Sequence, residues 1–252
     1  MKHLKTILFL TLFGACINAQ AQRSVEDSAI FIPSFNITFG GQKPGGDLAD
    51  RFYENANLGF NVTIKTRTNW VFGAEGSYLF GPSHHEPNLM ADLKNQYGYI
   101  IDFDGKEAII LEQERGFNVY VFGGKLLPLF GPNENSGLLI KGGIGFLQHR
   151  IWIENRLNNV PQLEGDYRKG YDRLSNGLAL EQFIGYLHHG NNRLINFFVG
   201  FEAMQAFTQS RRDYNFDLKA KDETKRLDLL YGIKFGWAIP IYKRAPKEYY
   251  SE

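Results

Sequence analysis

Three glutamates and three lysines occupy positions from which they could act together inside one enclosed space. They are Glu75, Glu181, Glu202, Lys125, Lys141 and Lys234. Each lies in a segment where polar and apolar residues alternate, and we place each on the polar side. Buried charges must be paired, because an uncompensated buried charge costs several kcal/mol. The set therefore predicts a salt-bridge network, with a gated ion path or a proton relay as the alternative interpretation.

The histidines and one acidic segment raise the question of metal binding. The histidines include two adjacent pairs, His84-His85 and His188-His189, and the single His149. Neighbours on a strand point to opposite faces, so an adjacent pair is a poor two-ligand clamp. The segment 102–105 resembles the start of a calcium loop but lacks its third acidic position and its closing glutamate. We expect no metal site and no cofactor.

The chain contains eight segments in which apolar residues recur at every second position. The six charged residues lie in six of these segments. The last segment illustrates the pattern, because Ile233, Phe235 and Trp237 share one side while Asp228 and Lys234 share the other. A period of two is typical of β-strands. The predicted strands are 31–40, 56–65, 70–80, 117–127, 138–149, 177–187, 194–208 and 227–239.

The apolar sides are rich in Phe, Tyr and Trp, and the opposite sides carry the charges. That arrangement is typical of a β-barrel that spans an outer membrane. Short connections at 66–69, 128–136 and 188–193 alternate with long ones. The long connections cover 41–54, 81–116, 150–176 and 209–225. We predict an all-β, eight-stranded antiparallel transmembrane β-barrel, with short periplasmic turns, long extracellular loops and both termini in the periplasm.

The orientation of the fourth strand is ambiguous, because both of its sides carry apolar residues and either could face lipid. A lysine halfway across the lipid would cost roughly 2–4 kcal/mol, so we place Lys125 in the lumen. Val119 and Val121 then also point inward, and Tyr120 and Phe122 point outward.

Two girdles of aromatic side chains are expected where the barrel meets the membrane surfaces. They are formed by Trp70, Tyr78, Phe80, Trp237 and Tyr242. A soluble barrel with aromatic residues in its core is the alternative, and the charges on the opposite side of the same segments argue against it.

The N-terminus predicts a signal peptide over residues 1–21. Basic residues at its start, an apolar run and the A-x-A site at 19–21 are its signature. Cys16, the only cysteine, permits a lipoprotein reading as the weaker alternative. The barrel is then expected over 22–242, followed by a short periplasmic tail at 243–252.

The chain resembles the small outer-membrane β-barrel proteins of the Bacteroidota, which are OmpA/OmpX-like and PorT-like in architecture. The resemblance rests on the leader, the eight alternating spans and the closing strand. In that strand, Gly232, Phe235 and Trp237 match the signal that the barrel-insertion machinery reads. The resemblance implies partners in type 9 secretion or in outer-membrane protein assembly.

We expect a non-catalytic barrel whose rim, long loops and tail dock other envelope proteins. Its expected partners are outer-membrane lipid, the insertion machinery and an envelope protein. Nucleic acid is not expected, because the net charge is only +1. A small channel or ligand-binding barrel is the first alternative, and a lipid-modifying enzyme is the second. Lipid A deacylases with this architecture carry a histidine two residues before a serine. That pattern is absent at His149, because the residue two positions later is Ile151.

Overall fold

Eight antiparallel strands form the protein in a computed structural model that describes residues 28–82, 84–157, 159–190 and 195–241. The strands are β1 (Ile32–Gly46), β2 (Asn55–Lys65), β3 (Trp70–Gly81), β4 (Ile110–Leu127), β5 (Gly137–Asn155), β6 (Ser175–His189), β7 (Asn196–Ser210) and β8 (Lys225–Pro240). Single turns of 3-10 helix lie at Ala91–Leu93, Pro161–Leu163 and Tyr167–Gly170. Among the described residues, none of the helices has the length and apolarity that crossing a bilayer requires. The predicted signal peptide, the tail 243–252 and Tyr242 fall outside the described residues.

The strands pair in chain order and close into a ring. Each strand pairs with its neighbours in sequence, and β1 also pairs with β8, so that Phe35 faces Val62 on one side and Ile239 on the other. Closure leaves no strand with an unpaired edge, which is the usual liability of an open sheet. The predicted eight-stranded antiparallel β-barrel is confirmed.

Apolar side chains cover the outside of the ring. Because successive residues of a strand point to opposite faces, every second residue of each strand lies on this outer surface. We call these exposed side chains the apolar belt, which includes Ile37, Phe39, Leu58, Phe60, Phe72, Tyr78, Val119, Val121, Ile144, Ile184, Phe201, Ile233 and Phe235.

All the long connections leave one end of the barrel and all the short ones leave the other. The long connections are 47–54, 82–109, 156–174 and 211–224, and the short ones are 66–69, 128–136 and 190–195. β4 and β5 extend further toward the long connections than predicted, and their ladder reaches from Leu127↔Leu138 to Ile110↔Asn155. The outer side of these added parts carries polar residues such as Arg115 and Arg150. The alternation of polar and apolar residues therefore did not predict them as strand.

The orientation predicted for β4 is wrong. Val119 and Val121 are 52% and 59% exposed, whereas Tyr120 and Phe122 are buried inside the ring. Lys125 consequently points outward rather than into the lumen.

Lys125 tolerates this position because it lies at the rim and not halfway across the belt. It is paired with Trp70 at the start of β3. Its Nζ donates to the Thr68 carbonyl at 2.7 Å and lies 4.8 Å from the centre of the Trp70 ring. A lysine near a membrane interface costs only about 0–1 kcal/mol, so the premise of a lysine halfway across the lipid was the error.

The long connections fold into an ordered structure, which we call the loop cap and define as 47–54, 82–109, 156–174 and 211–224. It has buried apolar side chains of its own, and these continue into the core of the barrel. They include Leu48, Phe52, Leu89, Met90, Ile100, Val160, Leu163 and Tyr171. The third long connection contributes three of these buried residues, Val160, Leu163 and Tyr171.

Candidate functional site: the sealed lumen and the loop cap

A lysine at the centre of the lumen joins β8 to the neighbouring strand β7 and, across the lumen, to β3 and β4. Lys234 Nζ lies 2.6 Å from Glu75 Oε1, donates to Glu202 Oε1 and contacts the Tyr120 hydroxyl at 2.8 Å. All four side chains are buried. Ion pairs in such surroundings hold only when hydrogen bonds satisfy both partners, as they do here.

The second buried lysine lies among aromatic rings. Lys141 Nζ is 3.5 Å from Glu181 Oε1 and 3.7 Å from Glu75 Oε2. It also lies 4.3 Å from the ring centre of Phe122 and 5.0 Å from that of Phe183. Cation–π attraction therefore supplements two ion pairs that are longer than hydrogen bonds.

With Lys125 outside, the five remaining members of the predicted network do not balance. Among the described residues, the ion pairs of Glu75, Glu181 and Glu202 are made with Lys141 and Lys234. Glu181 is the carboxylate whose two oxygens make no hydrogen bond among the described residues, although it is buried. The central layer thus holds one carboxylate more than it holds lysines.

A second buried polar layer lies nearer the loop cap. His149 Nε2 is 2.8 Å from Asp228 Oδ2, and Thr208 Oγ1 donates to the same oxygen at 2.5 Å. Phe52 of the first long connection packs edge-on against the His149 ring, with ring centres 5.5 Å apart. The threonine hydroxyl bonds the carboxylate and not the histidine, so this is not a nucleophile with its base.

Sequence reasoning missed this layer because it treated His149 alone. One signal in the sequence could have indicated this layer: Asp228 has the same parity as Lys234 on β8, so a second charged side chain was expected to point into the lumen. Direct pairing of β1, β7 and β8 brings Asp228 to the level of Thr208, while β5 supplies the histidine from across the lumen.

The lower lumen is filled as well. A cavity of about 20 Å³ lies between Asn36, Asn61, Lys65 and Lys141, which is room for about one water molecule. Lys65 Nζ donates to Asn135 Oδ1 at 2.8 Å, which joins β2 to the short connection 128–136. The interior is therefore filled by polar and aromatic side chains, as expected for a narrow eight-stranded barrel.

One ionic network joins all four long connections. Arg173 forms a bidentate pair with Asp217, at 2.9 and 2.7 Å, and its Nε lies 2.8 Å from Glu86 Oε2. Arg51 Nε donates to the other oxygen of Glu86 at 2.6 Å. Burial opposes the charged form of Arg173, but the bonds to Asp217 and Glu86 outweigh that effect and raise its pKa. Arg173 therefore keeps its charge and links the first, second and fourth long connections to the third.

Replacing Arg173 by methionine is expected to loosen the loop cap while leaving the barrel folded. The substitution leaves the buried Asp217 carboxylate without its guanidinium and Glu86 with Arg51 alone, and breaking a buried pair costs about 3–5 kcal/mol. Hydrogen exchange should become faster in 82–109 and 211–224 and stay unchanged in β2 and β7. Arg156→Met is the control, since its ion pair is exposed. Unchanged exchange in both segments of Arg173→Met would contradict this role.

The loop cap also exposes aromatic side chains. Residues 94–107 form two small turns in succession, the first closed by the bridge Lys94↔Ile100 and the second by the bridge Ile101↔Glu107. We call this double turn the aromatic hairpin, because Tyr97 and Phe103, one in each turn, are 74% and 72% exposed. Asp102 supports the hairpin by accepting a bond from Asn159 Nδ2 at 2.5 Å.

The predicted girdle residues lie on the outer surface near the two ends of the belt. Trp70 and Trp237 are exposed toward the short connections, and Tyr78 and Phe80 are exposed toward the long ones. Their role as membrane anchors stays a prediction.

The residues predicted to form the insertion signal are divided between the two faces of β8. Phe235 and Trp237 point outward, whereas Gly232 faces the lumen. A Cβ on Gly232 would lie 2.1 Å from the Gly41 carbonyl oxygen, so close strand packing is reason enough for this glycine. Recognition by the insertion machinery stays a prediction.

Histidine-based metal binding finds no geometric support in the described part of the chain. His84 Nε2 is bonded to Glu112 at 2.6 Å. In that part of the chain, no group of three or more His, Cys, Asp or Glu side chains could hold a metal ion.

Comparisons with known proteins give likenesses of fold at low identity. No family model and no curated protein match the chain. The attachment invasion locus protein Ail of Yersinia pestis is 11% identical, with a TM-score of 0.41 over 83% of this chain and 99% of that one. Neisserial surface protein A is 9% identical, with a TM-score of 0.43 over 82% and 96%. OprG from Pseudomonas aeruginosa is 14% identical, with a TM-score of 0.35 over 87% and 98%. At such values the likeness carries no argument, and the fold assignment rests on the ring of strands itself.

Proposed function

We propose that this protein is a non-catalytic outer-membrane β-barrel whose loop cap docks another protein of the cell envelope. The observation that carries the proposal is the division of the molecule into three parts. These are an apolar belt outside, a sealed ion-paired lumen inside, and an ordered cap with exposed aromatic side chains at one end.

The apolar belt supports the membrane location. Charged side chains face inward while Phe, Ile and Val side chains face outward around the ring, which is the reverse of a soluble barrel. In water, an apolar surface of this extent would favour aggregation. Lipid is therefore the partner of this surface in the proposal.

The connections support an orientation. Bacterial barrels usually carry short turns on the periplasmic side and long loops outside the cell. Ser34 and Pro240 are paired near the short connections, so the proposal has both termini in the periplasm. Envelope machines such as type 9 secretion or outer-membrane protein assembly are proposed hosts, and the barrel-insertion machinery is the proposed partner during biogenesis.

The sealed lumen favours docking over conduction. An ion path needs a passage, whereas the central layer is packed with buried side chains and the cavity near Lys141 holds about one water. The small channel therefore remains the weaker candidate.

The aromatic hairpin is the proposed contact surface. Aromatic side chains dominate binding energies at protein interfaces. The segment that carries Tyr97 and Phe103 is held to the third long connection, because Asn159 donates to Asp102 and the Phe103 backbone N–H donates to the Asn159 carbonyl. The partner is an envelope protein with an apolar pocket for such anchors.

Replacing both aromatic residues, Tyr97→Ser with Phe103→Ser, is expected to abolish capture of the partner. Loss of two interface anchors weakens binding by about 4 kcal/mol or more, roughly a thousandfold. The measurement is crosslinking in intact cells, followed by purification of the tagged barrel and mass spectrometry. The matched control is Leu129→Ser with Phe130→Ser, which removes exposed apolar side chains from a short connection. A crosslinked partner that survives the Tyr97/Phe103 substitutions would contradict docking through the hairpin.

A further inference from the structure

Two arginines face each other directly on the outside of the barrel. Arg115 of β4 and Arg150 of β5 are cross-strand partners, and both point outward just above the apolar belt. Like charges directly opposite each other destabilise a sheet. The pair is therefore an unfavourable feature, which an anion placed against both guanidinium groups would relieve.

The contacts of these arginines leave positive charge at the surface. Arg115 donates to the carbonyl oxygens of Glu114 and Gly81 and to the Gln113 side chain, all of which are neutral groups. Arg150 lies 3.8 Å from Asp172 Oδ2. That carboxylate is held more closely by Arg212, whose Nε lies 2.7 Å from Asp172 Oδ1.

A third cation adds to the same surface. The Trp152 ring lies beside two guanidinium groups, 4.7 Å from the Arg150 carbon and 4.6 Å from the Arg168 carbon. Stacking on the ring holds both arginines in place, which reduces the entropy they would lose on binding a ligand. Planar guanidinium groups arranged in this way are suited to a phosphate.

An open apolar groove on the outer surface of β1 to β4 begins below Arg115, the member of the arginine pair that lies on β4. Its volume is about 590 Å³, and its lining includes Leu58, Phe60, Gly76, Tyr78, Phe117 and Val119. Gly76 leaves it open, since a Cβ there would have its nearest neighbours at 3.9 Å. Phe117 at the wall of the groove is two residues from Arg115, about 7 Å along the strand.

We infer that a phosphorylated lipid binds here, with its phosphate between Arg115 and Arg150 and an acyl chain in the groove at Gly76. The inference rests on the proposed function only in that the apolar belt must contact lipid. It does not depend on a protein partner. The lipid would belong to the leaflet that borders the long connections.

The test uses the purified full barrel in detergent and three probes. They are phosphatidate, phosphatidylcholine with the same acyl chains, and inorganic phosphate. Native mass spectrometry measures how much lipid stays bound, and the thermal midpoint measures protection by each probe. We expect phosphatidate to bind about tenfold or more tightly than phosphatidylcholine, the difference that charge-assisted bonds supply.

Two variants examine the two parts of the site. Arg115→Gln with Arg150→Gln is expected to remove the preference for phosphatidate, whereas Lys43→Gln with Lys225→Gln removes two cations from other strands and should preserve it. Gly76→Leu fills the groove and is expected to weaken phosphatidate binding about tenfold. The slower mobility of heated samples in gels verifies that each variant is folded.

Several results would overturn the inference. Equal binding of the two lipids, or an unchanged preference in the double arginine variant, would exclude the phosphate contact. Protection by inorganic phosphate equal to that by phosphatidate, together with no effect of Gly76→Leu, would indicate a free-phosphate site and not a lipid site. Because no envelope partner is present, failure of the docking proposal would leave these results unaffected.

Discussion

Lys234→Met is expected to lower the free energy of unfolding by about 3–5 kcal/mol, or to prevent folding altogether. The lysine is the shared partner of Glu75 and Glu202, and both carboxylates are buried in the lumen. Without it, the central layer would hold three carboxylates against Lys141 alone. The measurement is equilibrium unfolding in urea of the barrel reconstituted in detergent, followed by the change in gel mobility.

Two companion variants separate loss of charge balance from loss of packing. Glu181→Gln removes the carboxylate in excess and is expected to leave stability unchanged or to raise it, since its oxygens make no hydrogen bond among the described residues. Lys125→Met, at the rim, is expected to cost less than about 1 kcal/mol. If Glu181→Gln destabilised the barrel as strongly as Lys234→Met, the excess-charge account of the lumen would be wrong.

Val121→Arg is expected to destabilise the barrel in a bilayer by about 2–4 kcal/mol. Val121 points outward and pairs with Ala74 and Ile144, near the middle of the apolar belt. An arginine there would have to carry its charge into the hydrocarbon or bend toward the surface. Folding into vesicles across a urea series gives the free energy.

The control for Val121→Arg makes the same kind of change outside the belt. Leu129 is exposed in the short connection 128–136, and an arginine there should change stability by no more than about 0.5 kcal/mol. Equal effects at the two positions would mean that the belt does not contact lipid.

Much of the barrel follows from the sequence, because a period of two defines both the strands and the side of each that carries charge. β8 illustrates this, since Lys234 faces inward and Phe235 and Trp237 face outward as the alternation requires. The predicted orientation of β4 was wrong because both sides of the strand are apolar through Val119–Phe122. One assumption about the depth of Lys125 then decided its orientation wrongly.

The loop cap could not be predicted in the same way. Leu89, Met90, Val160 and Leu163 have no regular spacing, and they are buried only because distant connections come together. The network around Arg173 has the same character, because Glu86 is 87 residues away from it in the chain. Contacts of this kind depend on the closure of the barrel and leave no local pattern.

The sequence predicted most of the charged residues of the lumen but not how they pair. Five of the six charges proposed for the lumen lie there, but the loss of Lys125 changes a balanced set into one with a surplus carboxylate. The layer around His149 was missed because Asp228 is 79 residues away. The pairing of lumen residues depends on strand register, which alternation alone does not specify.

Spin labels placed on the belt test most directly whether lipid surrounds it. In the barrel without its predicted signal peptide, which carries the one native cysteine, single labels at Val121→Cys and at Phe103→Cys report collision with oxygen and with a water-soluble nickel chelate in reconstituted bilayers. We expect the label at residue 121 to collide readily with oxygen and to be shielded from nickel, and we expect the reverse for the label at residue 103. Free access of nickel to residue 121 in the folded barrel would mean that lipid does not surround the belt.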